Sequence, residues 1–109
     1  MFEVFKSEKS GKYYFNLKAG NGQIILSSQG YADMSGAKNG IESVIKNSAD
    51  DSKFDRLTAS NGKFHFNLKA ANGQIVGSSQ MYASEAGMEN GIASVRKNAP
   101  GAEVKERED

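Results

Sequence analysis

FNLKAGNGQI, Phe15 to Ile24, returns as FNLKAANGQI, Phe66 to Ile75. Residues 11–49 and 62–100 align at a constant shift of 51 without a gap, and 24 of those 39 positions are identical. The chain is therefore an internal duplication. Two copies are too few for a solenoid. They are expected to bury their apolar faces together about a pseudo-twofold axis, as the halves of an isologous dimer do.

Each copy opens on a hairpin. In KYYFNLKA, Lys12–Ala19, the apolar residues Tyr13, Phe15, Leu17 and Ala19 alternate with Lys12, Tyr14, Asn16 and Lys18. That period of two is a half-buried strand. Asn21-Gly22 follows, and Asn72-Gly73 in the second copy. The pair predicts a two-residue type I′ turn, with positive φ at both residues. That turn pairs Ala19 with Ile24, Leu17 with Leu26 and Phe15 with Ser28 on one face. Lys18 pairs with Ile25, Asn16 with Ser27 and Tyr14 with Gln29 on the other. The second copy has the equivalent pairs. Ile25 and Val76 then stand on the outer face, as marks of a partner contact. Ser28 and Ser79 point inward, toward the helix N-terminus.

Beyond each hairpin the period becomes helical. Asp33 and Ser84 are N-caps. Met34, Ala37, Ile41, Val44 and Ile45 form the first apolar stripe, and Met88, Ile92 and Val95 the second. Gly40 and Gly91 interrupt those stripes at a cost of about 1 kcal/mol relative to alanine, so a close approach of helix to sheet is expected there. Asn47 and Asn98 read as left-handed C-caps, and Pro100 stops the second helix. FEVFK at Phe2–Lys6 and KFDRLTA at Lys53–Ala59 supply a strand before each hairpin. AEVKERE, within residues 102–109, reads equally as a charged edge strand or a frayed tail.

The fold class is accordingly α+β, with tandem β-β-β-α repeats sharing one mainly antiparallel sheet. Two helices cover one face and the other stays open to solvent. The 109 residues make one domain, repeat one spanning about 1–52 and repeat two about 53–101. The order of strands in the sheet is open.

Composition excludes several function classes. The net charge of +1 argues against a dedicated nucleic-acid binder. The absence of cysteine excludes disulfides and thiolate metal sites, and suits a reducing compartment. MFEVFKSEKSG lacks the pattern of a secretory signal, and no apolar run approaches the roughly 20 residues of a membrane span. A cytoplasmic, monomeric protein with no membrane contact is expected.

The combination of FNLKA-x-NGQI with SSQ-x-Y at Ser27–Tyr31 and Ser78–Tyr82, and NGI-x-SV-x-KN at Asn39–Asn47 and Asn90–Asn98, resembles the YegP-like family. These are small bacterial proteins made of tandem copies of one short domain. The resemblance implies one shared sheet, with the strand after each helix crossing to the other repeat, and dimers among single-copy relatives. It implies no activity and maps no catalytic residue.

His65 is the lone histidine, beside Ser78 and Gln80 on the expected outer face. A Ser–His nucleophile needs an orienting carboxylate, and none falls there by register, so a solvated histidine is the reading. Acidic residues do not match across the repeats, so no metal, cofactor or catalytic site is expected. Gly20-Asn21-Gly22 joins antiparallel strands and opens no helix, so it is no phosphate loop. Tyr31 and Tyr82 read as strand-to-helix anchors.

What remains is the outer face, with Lys12, Tyr14, Asn16 and Lys18 from one repeat and Lys63, His65, Asn67 and Lys69 from the other. A non-catalytic module binding a protein through that face or a sheet edge is the first reading. Weak nucleic-acid binding through the lysine–aromatic face is the alternative.

Overall fold

The computed structural model describes residues 1–107. Its elements in chain order are β1 (Phe2–Lys6), β2 (Tyr13–Lys18), β3 (Ile24–Ser27) and α1 (Met34–Asn47), then β4 (Phe54–Thr58), β5 (Phe64–Lys69), β6 (Ile75–Ser78), α2 (Glu85–Asn98) and β7 (Val104–Glu106). Among the described residues the seven strands form one mixed sheet, ordered β4-β5-β6-β3-β2-β1-β7. All pairings are antiparallel except β1 with β7. This is the α+β tandem arrangement read from the repeats. The C-terminal segment does make a strand, and residues 108 and 109 of that segment lie outside the described residues.

The hairpins differ from expectation by one residue. Gly22 has φ of 85° and Gly73 of 84°, whereas among the described residues none other than glycine has positive φ, so Asn21 and Asn72 do not form a type I′ turn. The loop has three residues instead. Ala19 N–H donates to Gln23 O, Gly22 N–H donates to Ala19 O, and Asn21 Oδ1 accepts from Gln23 N–H at 3.0 Å. Its extra residue is absorbed by a bulge, because Leu17 pairs with Leu26 but Lys18 pairs with Ile24. β5 and β6 repeat the shift, Lys69 pairing with Ile75.

The bulge corrects two assignments. Ile25 and Val76 are not on the outer face; both are buried, and Ile24 and Ile75 stand outside. Two consecutive residues of each strand therefore face the core, which alternation alone cannot give. Each aliphatic side chain so buried stabilises the fold by about 1.5–3 kcal/mol. Ser28 and Ser79 do not reach a helix. Ser28 Oγ accepts from Phe15 N–H at 2.9 Å and donates to Gln29 O at 2.8 Å, and Ser79 does the same with Phe66 and Gln80.

The helices begin as read. Asp33 Oδ1 accepts from Gly36 N–H at 2.7 Å and Ser84 Oγ from Gly87 N–H at 3.0 Å. Their ends differ. Asn47 and Asn98 are the last helical residues, with no left-handed φ, and their amides donate back to Ser43 and Ser94. Gly40 and Gly91 permit the expected close approach. A Cβ at Gly40 would overlap Tyr31 Oη and lie 2.9 Å from Phe15, and one at Gly91 would overlap Tyr82 Oη. Both tyrosines lie between sheet and helix, stacked on Phe15 and Phe66 at 6.1 and 6.4 Å.

Between the repeats, β3 and β6 meet in a single pair, Ser27 with Ser78. The helices hold that weak seam. α1 packs on β2 and crosses to β6, while α2 packs on β5 and crosses to β3. The core is one cluster running across the axis, from Phe2 and Phe15 through Leu26 to Phe66 and Phe54.

Candidate functional site on the open sheet face

Side chains on the uncovered face come from alternate positions of all seven strands. β2 carries Tyr14, Asn16 and Lys18, and β5 carries His65, Asn67 and Lys69, with Lys12 and Lys63 just ahead of them. Each row keeps its predicted face, yet the two rows do not converge. β3 and β6 lie between them, so about 14 Å separates β2 from β5 at the usual strand spacing.

Neighbouring strands, with the residue that follows β7, add four residues that the sequence reading passed over. Contrary to the expectation that acidic residues do not match across the repeats, Glu3 on β1 and Asp55 on β4 are counterparts: Glu3 binds Lys18 Nζ at 3.2 Å and Asp55 binds Lys69 Nζ at 3.2 Å. Phe5 stacks on Tyr14 with centroids 6.0 Å apart. The Arg107 guanidinium lies 4.2 Å from the Phe5 ring centre and 2.9 Å from Glu3 Oε1. Alternation in FEVFK was the available signal, since burying Phe2 and Val4 turns Glu3 and Phe5 outward.

Charge is distributed unevenly as a result. Among the described residues the face holds six cationic groups (Lys12, Lys18, Lys63, Lys69, Lys105 and Arg107) against the carboxylates of Glu3 and Asp55. That is an excess of four positive charges, in a chain whose net charge is +1. The cations lie at strand ends and on the β7 edge, and Lys18 and Lys69 are already paired. The middle is uncharged.

That middle is a groove of about 450 Å³ along the β3–β6 seam, lined by Ile24, Ser27 and Gln29 and by their counterparts Ile75, Ser78 and Gln80. Ile24 and Ile75 are 41% and 40% exposed. They are the large apolar groups that the bulges turn outward, and reading the turn as type I′ concealed them.

His65 pairs across the ladder with Leu57, and the Ser78 hydroxyl donates to Asn67 Oδ1 at 2.8 Å. No Ser–His hydrogen bond joins them among the described residues. Nor do those residues contain a cluster of three or more histidine, aspartate or glutamate side chains able to hold a metal. No described helix is long and apolar enough to cross a membrane.

Two successive stretches, 8–55 and 59–106, match the domain of unknown function DUF1508. A UPF0339 protein from the ptx operon 5′ region of Stutzerimonas stutzeri is 53% identical over 105 residues, covering 96% of this chain and 94% of the relative. The chain belongs to the UPF0339, YegP-like family. YegP of Escherichia coli K12 is 51% identical over 105 residues, again covering 96% and 94%. The solution NMR structure of E. coli yegP, described as a protein of unknown function, superposes with a TM-score of 0.92 at 51% identity, covering 97% and 90% of the two chains. The UPF0339 protein SO3888 of Shewanella oneidensis gives 0.90 at 48% identity, covering 96% and 88%. Family membership accounts for the tandem fold, and no catalytic family is among these relatives.

Proposed function

We propose that this chain is a non-catalytic binding module that engages a protein partner through its open sheet face, as a cytoplasmic monomer. The observation that carries the reading is the layout of that face. An uncharged centre with two exposed isoleucines is surrounded by a charged rim, which is the anatomy of a protein interface. A continuous track of unpaired cations would favour nucleic acid. Here the lysines nearest the centre are neutralised by Glu3 and Asp55. The monomer follows from the pseudo-twofold contact, which one chain makes with itself.

A pull-down from bacterial lysate tests this, with and without nuclease, comparing wild type with Lys12→Glu, Lys63→Glu. These two lysines carry no carboxylate partner among the described residues, so the variant changes the rim and leaves the fold intact. A protein partner that survives nuclease and is lost from the variant is the expected result. A partner that stays bound to the variant, or recovery of nucleic acid alone, would refute the reading.

A further inference from the structure

We infer that the β3–β6 groove is the specificity pocket of this face, and that its occupant is an acidic, aliphatic-bearing segment of another protein. The inference rests on the interaction-module reading and adds to it a place and a partner chemistry.

The place follows from the bulges. They set Ile24 and Ile75 on either side of the single Ser27–Ser78 pair, in a depression of about 450 Å³. Aliphatic side chains inserted there would remove both isoleucines from water. Polar groups suited to a peptide backbone lie alongside. Among the described residues the Ser27 hydroxyl and the side-chain amides of Gln29 and Gln80 make no hydrogen bond within the chain, so they can serve an incoming N–H or C=O.

Charge complementarity selects the occupant. Among the described residues the rim carries four positive charges in excess. Aspartate and glutamate flanking an apolar residue would meet that rim, steering encounter and fixing register. The same excess opposes face-to-face pairing with a second copy. A nucleic-acid single strand fits less well, because it stacks its bases on aromatic rings. The groove has none: Tyr14 and Phe5 lie outside it and stack on each other, with Arg107 over Phe5.

The probe is a short synthetic peptide alternating leucine with aspartate and glutamate. Its controls are polyglutamate of equal length, the leucine–lysine counterpart and a single-stranded oligothymidine. Each is titrated into the full chain by heteronuclear NMR at low salt. The acidic leucine peptide should shift amide signals within 24–29 and 75–80. Its affinity should drop about tenfold or more in Ile24→Ser, Ile75→Ser, given the apolar area removed. Both residues are exposed, and retained signal dispersion shows that the variant folds. Polyglutamate should bind at least tenfold more weakly.

Equal affinity for the isoleucine variant, equal binding of polyglutamate, or tighter binding of oligothymidine would overturn the inference. So would absence of binding. Shifts confined to the lysine rim and lost in Lys12→Glu, Lys63→Glu would end the groove proposal and spare the face reading. Shifts on the helical side would end both.

Discussion

Tyr31 shows how much one side chain settles in this fold. Its ring fills the space between Phe15 and the helix, and Gly40 is glycine because any Cβ would strike that ring. The cost of helical glycine, about 1 kcal/mol, is offset by aromatic burial. The burial pushes the Tyr31 phenol above its ordinary pKa of 10.0, by desolvation. The unfolded chain releases this proton at about pH 10, earlier than the folded chain. The contribution is therefore fully present below that pH and is lost as pH rises through the folded value. Wild type should lose stability between about pH 9 and 11 more steeply than Tyr31→Phe, by chemical denaturation. Parallel pH slopes would contradict this. The tyrosine anchors and both N-caps were legible from residue type and position. The C-caps were not, since asparagine serves equally a left-handed cap or a bond back to its own helix, and Asn47 donates to Ser43 O at 2.8 Å.

The hairpins follow the same logic one level up. Asn-Gly marked the turns correctly but not their length. A two-residue and a three-residue loop both place glycine at positive φ, and the choice moves every residue before the bulge to the opposite face. Packing makes that choice, because the three-residue loop with its bulge sends Ile25 and Val76 into the core. At the axis the symmetry breaks between Leu26 and Gly77. Leu26 leans across the axis, and a Cβ at Gly77 would lie 2.7 Å from its Cγ. Two leucines cannot occupy that point together. Gly77→Ala should cost about 1–3 kcal/mol by overpacking, read from urea midpoints. The exchanged pair Leu26→Gly, Gly77→Leu should return to within about 1 kcal/mol of wild type, because volume at the axis is conserved. A neutral Gly77→Ala would show that the axis is looser than this packing implies.

The whole molecule departs from twofold symmetry at its edges. β1 and β4 hold equivalent places, yet β1 is covered by β7, whereas among the described residues no strand covers β4. The two edges have different inward residues. Where β1 has the buried Val4, β4 has Arg56, whose guanidinium donates to Glu89 at 2.6 and 3.0 Å and to Asp51 at 3.0 Å. Those two carboxylates raise its pKa further above the usual arginine value. An inward charge is a recognised guard against strand addition. Arg56→Val, which copies Val4, should make the edge adhesive. Sedimentation velocity should then show mass rising with concentration by ~100 µM, the range of a weak edge contact. A variant that sediments as wild type does at every concentration would remove the guarding role. The strand order itself was unreadable from the chain, because nothing local says which edge β7 joins.

Period, turn residues and a 51-residue self-match were enough to establish the α+β class, the duplicated hairpins, both helices and the rows Lys12–Lys18 and Lys63–Lys69 on the open face. Each is written locally, in alternation or helical spacing over a few residues. The Glu3 and Asp55 pairings, the order of strands and the exposure of Ile24 and Ile75 came only with the folded chain. They depend on which strands become neighbours and on where a bulge best fills the core. Both are decided by packing between residues far apart in sequence.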